Sequence, residues 1–131
     1  MKKFENFSKA LDNLALIERY EPPFDKVVLT GLVGLYEICF EQAWKAMKEI
    51  LEEHGFSEAA TGSPKQVLKT AYKAGMIYDE ELWLEALLSR NNVAHSYNEG
   101  IALGIVNNAK EKYLDMFKQL KEELAANWIQ S

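Results

Sequence analysis

The side chains of this sequence that could do chemistry are concentrated in one run, residues 90–97, which reads Arg-Asn-Asn-Val-Ala-His-Ser-Tyr. The run places the guanidinium of Arg90, the imidazole of His95 and the phenol of Tyr97 within about two helical turns. A guanidinium binds phosphate through paired hydrogen bonds, and an imidazole exchanges protons near neutral pH. Together these groups could bind and attack a phosphodiester, so residues 90–97 are the predicted place for any chemistry.

Each of these residues also has a purely structural interpretation. Arg90 could form a salt bridge with a carboxylate, His95 could cap a helix end, and Tyr97 could belong to the core. Single polar residues are common at helix ends, and a buried arginine is costly unless it is paired or serves a ligand. The spacing of the three residues leaves both interpretations open.

The composition predicts one globular domain over residues 1–131. The chain has 131 residues, and 48% of them are hydrophobic, which suffices for one core and argues against disorder. The net charge of −5 disfavours a protein that binds nucleic acid along its whole surface, because such binding depends on neutralising phosphates. A local basic pocket, or a basic partner, is compatible with this charge.

Two further features predict a cytoplasmic protein. The single cysteine, Cys39, falls in an apolar helical run and cannot form an intrachain disulfide, which fits a reducing compartment. The first six residues already include charged side chains and do not begin a signal peptide, and no uncharged apolar stretch is long enough to cross a bilayer. We therefore expect no membrane association.

The elements that must position residues 90–97 are predicted to be helices. The sequence indicates an all-α fold of about five helices, with no convincing strand. The predicted helices cover residues 4–19, 25–53, 63–75, a segment from 79 through the 90–97 run, and 101–128. Ser63 and Pro64 form a typical helix start, and Asp79 is predicted to cap the fourth helix.

The fourth predicted helix has three stripes of side chains at about 100° per residue. One stripe contains Trp83, Leu87, Arg90, Ala94 and Tyr97, and the stripe beside it contains Leu84, Leu88, Asn91 and His95. Glu81, Glu85, Ser89, Asn92 and Ser96 occupy the opposite side, which is predicted to face water. Two apolar stripes exceed what one neighbouring helix needs, so the second is predicted to meet another surface, such as a second copy of the chain. Arg90 and His95 would then lie in a semi-buried cleft where the stripes end.

No other residue set predicts a metal or cofactor site. Glu37 and Glu41 lie one helical turn apart, but they share a polar, solvent-facing stripe with Lys45, which favours a solvated surface. His54 lies beside Gly55, where a surface helix cap is expected. The sequence contains no glycine-rich phosphate loop and no clustered metal ligands, so we expect no cofactor and no metal.

Spaced motifs in a fixed order resemble a known family. The pattern of Arg90, Asn91, His95 and Tyr97 resembles the signature of the HEPN superfamily of small α-helical proteins. Further matches resemble its nucleotidyltransferase substrate-binding branch, and they are Phe40-Glu41, Trp44-Lys45, Lys48, Ser63-Pro64, residues 73–77 and Arg90-Asn91. The resemblance covers residues 4–124. It implies an up-and-down four-helix bundle with an additional short helix, and a homodimer in which the ends of the fourth helices face each other.

The resemblance also implies a partner and two alternative functions. The partner would be a separately encoded minimal nucleotidyltransferase, and the chain would be its accessory, substrate-binding subunit, with Arg90 and Asn91 contacting a nucleotide or its phosphate. The alternative is a metal-independent endoribonuclease toxin that binds RNA, with His95 as general base and Arg90 stabilising the phosphate. In related toxin and antitoxin pairs the tyrosine after the histidine is adenylylated, which makes Tyr97 a possible modification site. The two functions stay open at this point.

Overall fold

The computed structural model describes residues 1–129, and these residues form the predicted all-α fold with no strand among them. The helices are α1 (Lys2–Ala15), α2 (Lys26–Glu53), α3 (Pro64–Lys73), α4 (Glu80–Asn91), α5 (Glu99–Asn108) and α6 (Leu114–Glu123). The 3₁₀ turn Leu16–Arg19 extends α1. The π-helical turn Ala109–Tyr113 joins α5 and α6 into one continuous helix, and a second π-helical turn, Leu124–Trp128, extends it. The predicted fifth helix over residues 101–128 is therefore confirmed.

The helix starts follow from the capping residues that the sequence predicts. The Ser63 hydroxyl accepts a hydrogen bond from the backbone N–H of Gln66 (3.3 Å), and Pro64 occupies the first turn of α3. The Asp79 carboxylate accepts one from the N–H of Leu82 (3.0 Å) and begins α4. Such caps satisfy backbone donors that have no partner inside the helix. The start of α4, and hence the position of Arg90 three turns later, is fixed by this cap.

The core lies along α2, which contacts α1, α3, α4 and α5. Aromatic side chains from several helices meet in the core, and they are Phe7, Tyr36, Phe40, Trp83, Tyr113 and Phe117. Cys39 is also fully buried, and this burial raises the pKa of its thiol. The longer helices form the bundle, and α3 is the additional short helix. No helix within residues 1–129 has the length and apolar character that crossing a membrane requires.

The fourth helix ends earlier than the sequence predicts. The α-helix stops at Asn91, the 3₁₀ turn Asn92–His95 follows, and α5 begins at Glu99 after its cap Asn98. The prediction of one α-helix through residues 90–97 is therefore wrong beyond Asn91. A change from α-helical to 3₁₀ geometry alters the angle between successive side chains. The angular spacing assumed for the predicted stripes consequently applies as far as Asn91 and does not apply to His95 and Tyr97.

Candidate functional site

Arg90 lies in the last turn of α4, at a position set by the buried side chains that precede it. Trp83 and Leu87 are buried and hold this helix against the core. The Arg90 guanidinium forms an ion pair with the Glu41 carboxylate of α2, and it also donates a hydrogen bond to Asn91 Oδ1 (3.1 Å). The Arg90 and Glu41 side chains are 28% and 23% exposed. The structural interpretation of Arg90 as a salt-bridge residue is thereby confirmed.

The predicted environment of Glu41, the ion-pair partner of Arg90, is wrong. The sequence predicts Glu41 on a solvent-facing stripe of α2, but Glu41 is half-buried because α4 packs against that part of the helix. Its buried Oε1 faces the Arg90 guanidinium, and its Oε2 accepts a hydrogen bond from the indole Nε1 of Trp44 (3.3 Å). One carboxylate therefore connects an arginine of α4 with a tryptophan of its own helix.

His95 and Tyr97 lie beyond the end of α4 and face outward. Both residues are exposed, and Tyr97 is 86% exposed, so the interpretation of Tyr97 as a core residue is wrong. The two rings form an edge-to-face pair with centroids 6.4 Å apart. Arg90 is therefore partly buried, whereas His95, which is predicted to share a semi-buried cleft with it, is exposed within one chain.

Tyr97 also borders a cavity of about 490 Å³ between the start of α2 and the turn after α4. Thr30 and Ser96 contribute hydroxyl groups to its lining, and Lys26 and Glu99 contribute one charge of each sign. A volume of this size is in the range of small-molecule pockets. The Tyr97 side chain is therefore accessible from solvent at the edge of a concave surface.

A second polar cluster, which the sequence does not predict, joins α4 to the π-helical turn Ala109–Tyr113. The Tyr113 hydroxyl is 2.8 Å from Ser89 Oγ and donates to Glu85 Oε2 (3.1 Å), and Lys112 Nζ lies 3.1 Å from both Glu85 carboxylate oxygens. Burial is the largest cause that raises the pKa of Tyr113, to about 12. The stripe of α4 that contains Glu85 and Ser89 is predicted to face water, and at these two residues it contacts another helix instead.

A second tyrosine in the core shows the same effect of burial. The Tyr36 hydroxyl donates to the backbone carbonyl of Ala86, and its ring stacks on Tyr113 with centroids 5.3 Å apart. Burial raises the pKa of Tyr36 well above its ordinary value. Both phenols are held neutral at the contact between α2, α4 and the continuous helix α5–α6, where they have a structural role.

The second histidine of the sequence lies at a helix end. His54 caps the C-terminal end of α2, and its Nδ1 lies 2.9 Å from the carbonyl oxygen of Ile50, as expected for a surface cap. Among the residues described, no three His, Cys, Asp or Glu side chains cluster in a way that could hold a metal ion.

Comparison with known proteins assigns residues 2–126 to one family. A family model described as "Nucleotidyltransferase substrate binding protein like" matches residues 2–126. A crystal structure of a protein from Thermus thermophilus has a TM-score of 0.78 and 28% identity, and the match covers 90% of this chain and 98% of that one. A comparison with curated proteins found no match.

A second solved structure has the same fold at lower identity. It is a Haemophilus influenzae protein reported to reveal the fold of a substrate binding domain of a nucleotidyltransferase. Its TM-score is 0.69 at 19% identity, with 95% of each chain covered. At this identity the likeness concerns the fold alone.

Proposed function

The chain belongs to the nucleotidyltransferase substrate binding protein-like family, and on this basis we propose that it is the accessory, substrate-binding subunit of a separately encoded minimal nucleotidyltransferase. The observation that carries the proposal is the family match over residues 2–126, which leaves no part of the bundle unaccounted for. In this role Arg90 and Asn91 contact the phosphate of a nucleotide or of its acceptor. Glu41 holds the guanidinium in position until the anion replaces it.

The subunit acts as a homodimer in this proposal. Leu88 belongs to the second apolar stripe of α4 and is 61% exposed, and on the neighbouring helix α2 the side chains of Val27 and Ile38 are 82% and 54% exposed. Single exposed apolar residues are ordinary on a monomer, but here they occur on two adjacent helices. If two copies meet through Leu88, the ends of both α4 helices, with Asn91 and His95, come close to the contact.

The exposed pair of His95 and Tyr97 supports a second candidate function, a metal-independent endoribonuclease. Neither ring is used by the core, and both lie just beyond Arg90 in the chain. His95 would act as general base on a ribose hydroxyl, and Arg90 would stabilise the charged phosphate in the transition state. Tyr97 would be the regulatory target. Its adenylylation would add a negatively charged phosphate a few residues after Arg90, and this charge would repel RNA.

Two measurements, one of RNA cleavage and one of protein binding, distinguish these functions. The purified chain and its His95→Ala variant are incubated with RNA in EDTA, and a tagged chain is purified from its own cells to identify bound proteins. The accessory role predicts a co-purified nucleotidyltransferase and no RNA cleavage by either form. Cleavage by the unmodified chain that His95→Ala abolishes would instead support the nuclease. A cytoplasmic location stays a prediction.

A further inference from the structure

The start of α1 and the C-terminal part of α2 together form a cavity that the proposed function does not use. Its volume is about 300 Å³, and it is lined by Lys3, Trp44, Lys45, Lys48, Glu49 and Glu52. Trp44, Lys45 and Lys48 belong to the motifs on which the family resemblance rests, and the proposed function gives the two lysines no role. The lysines that line this cavity therefore have no function assigned to them by the proposed role of the chain.

The charge of this cavity is opposite to that of the molecule. The chain as a whole carries a net charge of −5, whereas the cavity lining contains three lysines and two glutamates. All three lysines are half-buried, and none of them takes part in the ion pairs found within residues 1–129. Their ammonium groups are therefore available to an anion, while their hydrocarbon stems lie along the protein surface.

Trp44 supplies an aromatic surface beside these cations. Its side chain is half-buried and packs against the core, and its indole N–H is bound by Glu41. The ring is thus held in one orientation, which reduces the conformational entropy that a ligand must remove on binding. A fixed indole next to several cations matches the two parts of a nucleotide, since bases stack on aromatic rings and phosphates bind ammonium groups.

We propose that this cavity binds a nucleotide, with its base against the Trp44 indole and its phosphate held by Lys3, Lys45 and Lys48. This proposal rests on the proposed function in one respect: a nucleotide is the expected ligand because the proposed partner is a nucleotidyltransferase. Two ligands contain both a base and a phosphate that could bind here: a free nucleotide and the end of an RNA strand. The volume of the cavity, about 300 Å³, is at the lower end of the range of small-molecule pockets.

Glu41 connects this nucleotide site to Arg90. Its Oε2 accepts from the Trp44 indole and its Oε1 faces the Arg90 guanidinium, so a single side chain separates the two groups. A base stacked on the Trp44 ring therefore lies one side chain away from the Arg90 guanidinium.

The test is an NMR titration of the chain alone with AMP, observed at the indole N–H signals of its three tryptophans. Trp44→Phe identifies the Trp44 signal by removing it, and the Trp83 and Trp128 signals report that the variant is folded. We expect AMP to shift the Trp44 signal and to leave the other two in place. Lys45→Gln combined with Lys48→Gln should weaken AMP binding by about tenfold or more, as expected for lost charge-assisted contacts.

The matched control is Lys65→Gln combined with Lys69→Gln, which removes the same charge from exposed positions of α3. It should leave the AMP affinity unchanged. An unmoved Trp44 signal, an equal loss of affinity in the control, or inorganic phosphate reproducing the whole AMP effect at Trp44 would each overturn the proposal.

A parallel titration with single-stranded oligoadenylate distinguishes the two sources of the nucleotide. Tighter binding of the oligonucleotide than of AMP, with the same Trp44 shift, assigns the site to an RNA end, whereas equal or weaker binding assigns it to a free nucleotide. The chain is titrated without its partner, so a negative result here does not affect the co-purification experiment. Conversely, if the chain binds AMP but co-purifies with no nucleotidyltransferase, the proposed function is contradicted and the nucleotide site is still supported.

Discussion

Arg90 is the residue on which the interpretation of the site depends. A guanidinium can be half-buried at low cost when a carboxylate shares its charge, and Glu41 does so from the neighbouring helix. The sequence predicts that Arg90 needs either a carboxylate or a ligand, but it cannot identify which carboxylate. Glu41 and Arg90 are 49 positions apart, and on a helical wheel Glu41 belongs to a polar stripe that is expected to face water. The packing of α4 on α2 changes that environment, and no local pattern reports it.

The strength of the Arg90–Glu41 pair can be measured with a double-mutant cycle of Arg90→Gln and Glu41→Gln. Because both side chains are about three-quarters buried, we expect a coupling free energy of about 1–2 kcal/mol in urea unfolding. The Lys112–Glu85 pair is the internal control, since its side chains are 41% and 43% exposed and should couple by less than about 1 kcal/mol. Equal coupling in the two cycles would mean that Glu41 does not hold Arg90.

At the scale of single elements, α4 shows where sequence analysis succeeds and where it fails. The Asp79 cap and the buried Trp83 follow directly from residue type and helical spacing, and both are confirmed. The end of the helix at Asn91 does not, since neither a glycine nor a proline marks it. Without such a signal the sequence predicts helix through the 3₁₀ turn that follows, and the outward orientation of His95 and Tyr97 cannot be derived from it.

Removing the cap of α4 should destabilise the molecule by a predictable amount. Asp79→Ala leaves the N–H of Leu82 without its carboxylate acceptor, and we expect a loss of about 1 kcal/mol in the free energy of unfolding. Asp115→Ala is a suitable control, because Asp115 is exposed inside the continuous helix α5–α6 and caps no helix start. It should change stability by less than about 0.5 kcal/mol. Two equal losses in urea titrations would rule out a capping role for Asp79.

The buried tyrosines between α2, α4 and α5–α6 predict a stability that falls at high pH. Burial raises the pKa of Tyr113 to about 12, and it raises the pKa of Tyr36 as well. The unfolded chain loses its tyrosine protons near pH 10, at about the ordinary pKa, before the folded chain does. The unfolded state therefore binds fewer protons above this pH, and stability decreases as pH rises from about 10 to 12.

Tyr113→Phe tests this effect, because it removes one of the two buried phenols. The variant should be less stable near neutral pH, since Ser89 and Glu85 lose a hydrogen-bond partner. Its urea midpoint should decline less steeply with pH than that of the unmodified chain over the alkaline range. A decline of unchanged steepness would show that Tyr113 ionises equally in the folded and unfolded states.

At the scale of the whole molecule, the helical class and the additional short helix were predictable because apolar periodicity and capping residues are local signals. The assembly was not, since it depends on which exposed side chains meet another copy. Leu88→Asp should convert the proposed homodimer into monomers, because it places a charge on the apolar stripe of α4. Leu16→Asp is the control, as Leu16 is 38% exposed on another helix. Sedimentation velocity that gives the same mass for the unmodified chain and for Leu88→Asp would exclude this surface from the interface.

The most direct measurement is size-exclusion chromatography with light scattering of the purified chain, after it is mixed with the nucleotidyltransferase that the co-purification experiment identifies. An accessory subunit predicts one species that contains both proteins, with the chain present in two copies, and a chain that has twice its monomer mass when measured alone. Two species that elute separately at micromolar concentration, each with its own mass, would contradict the assignment of this bundle as the substrate-binding subunit of a nucleotidyltransferase.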